Sequence, residues 1–202
     1  MPIELLAAFL MFAFVTSITP GPNNMMLLAS GVNFGVRRTL PHMLGISIGF
    51  LVLVVAVGLG LNRLFELFPL TYTALRYLGG AYLLYLAWKI ANAGAPQGSS
   101  TTSGGKPFSF LQAAAFQWVN PKAWIMAIGA ITTYTPQQDF IGNVLLIAVL
   151  FAVVNLPSVG VWTIAGSLLR RWLEEPARLR VFNIGMALLL VASLYPLFAS
   201  AH

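Results

Sequence analysis

Apolar residues in this chain fall into long runs, and the polar positions collect between the runs. Six runs of about 20 residues read as membrane-spanning helices. They cover Leu5 to Gly31, His42 to Leu61, Leu70 to Ile90, Phe108 to Tyr134, Ile141 to Leu169 and Val181 to Phe198. Turn residues such as Pro69 and Pro136 mark short connectors. One longer tract, "NAGAPQGSSTTSGGKP", has the Gly, Ser and Thr content of a linker. The pattern predicts an all-α integral membrane protein with a single transmembrane domain. Residues 1–91 would form one three-helix repeat, 92–107 a cytoplasmic linker and 108–202 a second three-helix repeat.

Two of the six runs are interrupted in the middle. Leu5 to Gly31 carries no formal charge, yet it contains Pro20, Gly21, Pro22, Asn23 and Asn24. The fourth run contains Asn120, Pro121 and Lys122. A proline removes a backbone donor and clashes with the preceding turn, so nearby N–H and C=O groups lose their helical partners. Lipid tolerates such backbone only where protein or a water-filled cavity satisfies it. The expectation is therefore that helices 1 and 4 are broken and that the breaks face a polar site. Gly21 lets another chain or a ligand approach closely, and Asn23 and Asn24 supply donors and acceptors. Opposed half-helix ends offer partial positive and negative charge, which suits the carboxylate and ammonium of an amino acid.

Three spans per half would place the halves in opposite orientations. "ITPGPNNMMLLASG" and "WVNPKAWIMAIGA" each put a proline-containing polar break before an apolar run, and "LRYLGGAYLLYLA" and "LRVFNIGMALLLVA" resemble each other in the third and sixth spans. Together they predict a 3+3 inverted repeat.

Composition narrows the class. Of 202 residues 58% are hydrophobic and 8% charged, more apolar surface than a domain of this length buries in its own core. The first run has Glu4 and no basic residue ahead of it, so it reads as a mature helix and not a signal peptide. Eight of the eleven basic residues (Arg37, Arg38, Lys89, Lys106, Arg170, Arg171, Arg178 and Arg180) fall in or beside the odd-numbered loops, whereas Arg63 stands alone in the even ones. The positive-inside rule then puts the odd loops in the cytoplasm and both termini outside. The net charge of +6 is a topology signal, not a mark of nucleic-acid binding.

Without cysteine, thiol redox chemistry is excluded. Two histidines and five scattered acids do not make a metal site, and no phosphate-cradling loop is present. No residue reads as catalytic and no cofactor is expected. What remains is a secondary transporter, a passive channel for small polar solutes or a non-transporting membrane scaffold.

The substrate-binding candidates are Pro20, Gly21, Pro22, Asn23, Asn24, Asn120, Pro121 and Lys122. Lys122 lies deep in its span, about 20 Å from Phe108 at 1.5 Å per residue, and an intramembrane cation is a functional candidate. A structural role, paired with Asn120 or Gln117, is the alternative. Gln117, Asn155, Tyr82 and Tyr85 are candidates for lining a pathway, although the two tyrosines with Trp88 also read as an interfacial aromatic belt. Gly45 and Gly49 form a GxxxG pair, read as a close helix contact within the chain, a homodimer face or a pathway wall. Pro157 reads as a kink and His42 as a solvated or interfacial histidine.

"ITPGPNN", "GISIGF", "AYLLYLAWKIA" and "VNPKAW", in that order along nearly the whole chain, resemble the LysE-type translocator family. Within it the chain is most similar to the branch of cysteine and O-acetylserine exporters. The resemblance implies export of amino acids or close derivatives across the bacterial inner membrane, driven by the proton gradient. It also implies that the family's motifs fall on Pro20, Gly21, Pro22 and Asn23 and on Asn120, Pro121 and Lys122. No span contains a carboxylate, so His42, a proton on the substrate or an edge acid such as Glu4 is left to carry the proton.

Overall fold

The computed structural model describes residues 1–60, 67, 69–93 and 106–193. Among these the chain is helical, without strands. The elements are α1 (Ile3–Ile18), α2 (Pro22–Gly58), α3 (Pro69–Ala91), α4 (Phe110–Gln117), α5 (Pro121–Tyr134), α6 (Phe140–Leu169), a 3-10 turn (Arg170–Leu173) and α7 (Pro176–Ala192). Residues 94–105 of the predicted linker, Arg63 and its loop, the side chain of Arg76 and the part of the sixth span beyond residue 193 lie outside the described residues.

Both predicted interruptions are breaks between separate helices. α1 stops at Ile18 and α2 starts at Pro22; α4 stops at Gln117 and α5 starts at Pro121. In each case a proline opens the second helix, where its missing N–H costs no hydrogen bond. Pro157, by contrast, sits inside the continuous helix α6.

The connection between the first two predicted spans is a corner and not a loop. Helical structure passes the expected end at Gly31 and resumes before His42, broken only at Gly35, where φ is 77° and ψ 170°. The hydroxyls of Ser30 and Thr39 hydrogen-bond at 2.8 Å. Nine residues of straight helix would hold them about 13.5 Å apart, so the chain folds back at Gly35. Glycine adopts that positive-φ backbone without a steric penalty. Arg37 and Arg38 follow at once, Arg38 resting over the Phe34 ring at 5.5 Å, and Arg170 comes close to Gly35 from the end of α6. Basic residues from the predicted first and last loops thus meet at one end of the bundle.

Large apolar side chains cover the outside of the bundle as well as its core. On α6, Ile141, Leu145, Val149, Val153, Val161, Ile164 and Leu168 are exposed, while Asn143, Asn155, Ser158 and Thr163 are buried. The outward face is apolar throughout and the helix's buried polar residues sit inward, among Val144, Ile147, Ala148, Phe151 and Val159, as suits lipid as a solvent. By length and composition α2 and α6 can cross a membrane.

Small residues set the closest approaches. A side chain on Gly31 would strike the Thr163 carbonyl, and one on Gly166 the Leu28 carbonyl, so α2 and α6 cross nearly backbone to backbone. Gly45 and Gly49 do the same against Phe110 and Ala114 on α4. The GxxxG pair is therefore a contact inside the chain. At one end of the bundle Phe9, Phe50 and Phe151 pack edge to face. A second cluster joins Met26, Leu83, Leu86, Phe116 and Leu190.

Candidate functional site

The two breaks meet. An α-helix leaves its last carbonyls without partners, and at the end of α1 every one of them finds a donor. Val15 accepts from the Thr19 backbone N–H at 3.2 Å and Thr16 from the Thr19 hydroxyl at 3.2 Å. The Asn24 amide donates back to Ser17 at 2.9 Å and to Thr19 at 2.7 Å. From α6, the Trp162 indole donates to Ile18 at 3.0 Å. Lys122 completes the set: its Nζ donates to the Thr19 carbonyl at 2.8 Å, the Thr19 hydroxyl at 3.0 Å and the Pro20 carbonyl at 3.3 Å. An ammonium has three protons, and here three acceptors surround it at the negative end of a helix dipole.

The second break answers the first. Asn23 and Gln117 exchange amide hydrogen bonds at 2.8 and 3.1 Å, and Gln117 also donates to the Ala113 carbonyl at 2.9 Å. The Asn120 side chain caps α5 by accepting from the Lys122 backbone N–H at 3.2 Å. The contacts are related in kind. Asn23 and Lys122 each follow the proline that opens a helix, and each reaches into the last turn before the other break. Asn155 on α6 links α1 to the second arm of α2, accepting from the Ser47 hydroxyl at 3.0 Å and donating to the Ser17 hydroxyl at 3.2 Å.

Asn23, Gln117, Asn120, Lys122 and Asn155 line one cavity with Thr16, Ser17, Gly21, Asn24 and Phe50. Its free space is about 20 Å³, room for a water molecule and little more. Gly21 leaves room for the lysine: a Cβ there would lie 2.8 Å from Lys122 Cδ and push that side chain aside. At its N-terminus α2 has no side-chain cap. The positive end of that helix therefore faces the cavity beside Asn23 and Asn24.

Of the sequence-predicted residues, the structure brings Gly21, Asn23, Asn24, Gln117, Asn120, Lys122 and Asn155 to this one cavity, with Pro20, Pro22 and Pro121 shaping its backbone. It does not bring Tyr82, Tyr85, Gly45 or Gly49 there. Tyr85 is exposed beside Trp88 on an outer aromatic surface, whereas Tyr82 is half-buried, its ring against Phe116 at 5.9 Å and its hydroxyl donating to the Gln112 carbonyl at 3.4 Å. The expected ammonium partners of Lys122, Asn120 and Gln117, are corrected to Thr19 and Pro20. His42 is also corrected. It is fully buried, its ring edge-on to Phe108 at 5.2 Å, and neither ring nitrogen has a hydrogen-bond partner. Thr19, Trp162, Ser17 and Ser47 were missed. Trp162 alone had a signal, an indole donor away from the ends of an apolar run.

A second cavity, of about 150 Å³, lies at the basic end of the bundle. Met26, Ala29, Ser30, Asn33 and Phe34 of α2 form one wall, and Lys89, Asn92, Lys106 and Phe108 the others.

Comparison with known proteins agrees with the motifs. Residues 14–193 match the family model of the LysE type translocator. The chain is 34% identical over 189 residues to the Cysteine/O-acetylserine efflux protein of Escherichia coli strain K12, covering 93% of this chain and 94% of that one. The proteins of the same description from Shigella flexneri serotype 5b and Escherichia coli O6:H1 match to the same extent. No solved structure matches the chain closely enough to count as a relative.

Proposed function

This chain belongs to the LysE type translocator family, and from that premise we propose that it exports a small amino acid or a close derivative across the bacterial inner membrane by alternating access. Its relatives' described substrates, cysteine and O-acetylserine, are the first to test. It is a translocator and not an enzyme.

The observation that carries the mechanism is the shared node of the two breaks. Lys122 from the second break neutralises the carbonyl end of α1, and Asn23 from the first break holds the end of α4. These reciprocal contacts support reading residues 1–91 and 108–202 as inverted repeats that rock about the node. With the node nearly filled, substrate enters only if the halves part. Its carboxylate then takes Lys122 and the uncapped N-terminus of α2, while its ammonium takes the carbonyls of Thr19 and Pro20 that Lys122 releases. Substrate binding and helix separation become one exchange of partners. Both termini face outside in this reading, with the basic end of the bundle in the cytoplasm.

Protons enter through His42. Burying an imidazole with both nitrogens unpaired carries a penalty of about 1–3 kcal/mol, and water or a proton reaching His42 when the halves part would relieve it. α4 and α6, packed against this part of α2, carry no ionisable side chain. Among the described residues Glu4 is exposed on α1, away from the node, and is the poorer carrier.

Counterflow in proteoliposomes tests the function. A carrier accelerates uptake of labelled O-acetyl-L-serine or L-cysteine when the unlabelled compound is trapped inside. Uptake indifferent to trapped substrate would make the protein a pore, and no uptake of any amino acid would remove the export reading.

A further inference from the structure

The cavity at the basic end is not part of the node. On α2 its lining residues, Met26, Ala29, Ser30, Asn33 and Phe34, follow Asn23 along one helical face. The middle of that stripe lies about 10 Å from Asn23 at 1.5 Å per residue. The buried pair Met26 and Phe116, joined in one packed cluster, lies along the way. Hydrogen bonds hold Asn33 in the cavity's wall. Asn33 and Asn183 exchange amide hydrogen bonds at 2.9 and 3.2 Å, and Asn183 also pins the Ala93 carbonyl at 2.7 Å. Its walls are cationic. Lys89 Nζ stands 4.6 Å from the centre of the Phe108 ring, and Lys106 is exposed at the rim. Among the described residues neither lysine pairs with a carboxylate; the ion pair there joins Arg178 and Glu175. A partly buried lysine whose counter-charge is an aromatic face has donors left for an anion. A void of 150 Å³ accepts a ligand the size of benzene, close to a three-carbon amino acid.

We propose that this cavity is a loading site, which binds the carboxylate of a small amino acid at Lys89 and Lys106 before the substrate reaches the node. The inference rests on the export reading for its biological sense, but its test does not depend on transport. The site binds a free α-carboxylate with a short side chain, and Met26 and Phe116 separate it from the node in the conformation described.

Because the chain has no cysteine, a single Asn92→Cys variant reports on the rim of this cavity alone. Its rate of modification by a cationic methanethiosulfonate reagent is measured in purified protein with and without O-acetyl-L-serine or L-serine. The amino acid should slow modification, and the decarboxylated amine should not. Lys89→Gln should raise the half-protecting concentration about ten- to a hundredfold, the range for losing a charged hydrogen bond, and Lys89→Arg should restore most of it. Protection should survive Lys122→Met, which disables the node. Absence of protection, equal protection by the amine, or loss of protection with Lys122→Met would each overturn the loading site. Counterflow by the same parent protein reports on the export reading separately.

Discussion

The break node and the basic-end cavity use the same kinds of group, lysine beside amides and backbone carbonyls, and differ in how far those groups are satisfied. At the node Lys122 has three acceptors and the free space fits one water. In the cavity Lys89 has a phenyl face, Lys106 has solvent, and the void is several times larger. A saturated charge holds a conformation together, whereas an unsaturated one is available to a ligand. Under the proposed mechanism the difference gives them different work: the node would lock the halves, and the cavity would receive what unlocks them.

The largest expected effect comes from removing the break. Replacing Pro20, Gly21 and Pro22 together with alanine should make α1 and α2 continuous, withdraw the carbonyls that hold Lys122 and reduce export to the background of empty vesicles. Helix propensity favours the change and the loss of Lys122's acceptors opposes it, so the variant should still express and fold, with at most a modest fall in thermal stability. Protection at Asn92→Cys should also persist, because none of the three residues lines that cavity. Export at the parent rate would reduce the break to a kink; loss of both activities would merge the two regions into one site.

Lys122→Met comes next. It keeps the apolar stem and removes the charge, so the concentration of amino acid that half-saturates counterflow should rise about ten- to a hundredfold while protection at Asn92→Cys persists, and the decarboxylated amine should compete equally poorly with parent and variant. A loss shared by both ligands would make Lys122 a structural cap of α1 and nothing more.

The same residues show what could be read from the sequence. The breaks were legible because proline, glycine and asparagine in an apolar run violate a local rule, and local rules need no partner. Lys122 was legible for the same reason. Its partners were not, because Thr19 lies 103 positions away and a threonine near a proline carries no sign of what will reach it. Trp162 meets Ile18 across 144 positions. The corner at Gly35 hid inside a stretch whose arginines suggested a loop. His42 was misread because a polar residue at the start of an apolar run looks interfacial. Only the packing of α4 and Phe108 over it shows that it is buried.

His42→Gln separates driving force from binding. The amide nearly keeps the volume and cannot carry a proton, so uphill export driven by an imposed proton gradient should fall at least tenfold while counterflow, which needs no net proton movement, stays within about twofold. Proton-driven export by this variant at the parent rate would remove His42 from the proton path. Equal loss of both would make it a packing residue.

The smallest effect tests the internal order of the cavity. Lys106 and Lys89 carry the same charge on the same void, but Lys106 is exposed and Lys89 lies partly covered over Phe108. Water and salt screen an exposed charge strongly, and its contribution to binding is worth about 0–1 kcal/mol. Lys106→Gln should therefore weaken protection at Asn92→Cys by no more than about fivefold, and the effect should shrink further as salt is raised to 0.5 M. Lys89→Gln should cost more and keep most of its effect at high salt, because Phe108 and the α2 wall exclude solvent from one side of it. If the ranking reverses, the carboxylate sits at the rim and the enclosed part of the cavity is not where substrate loads.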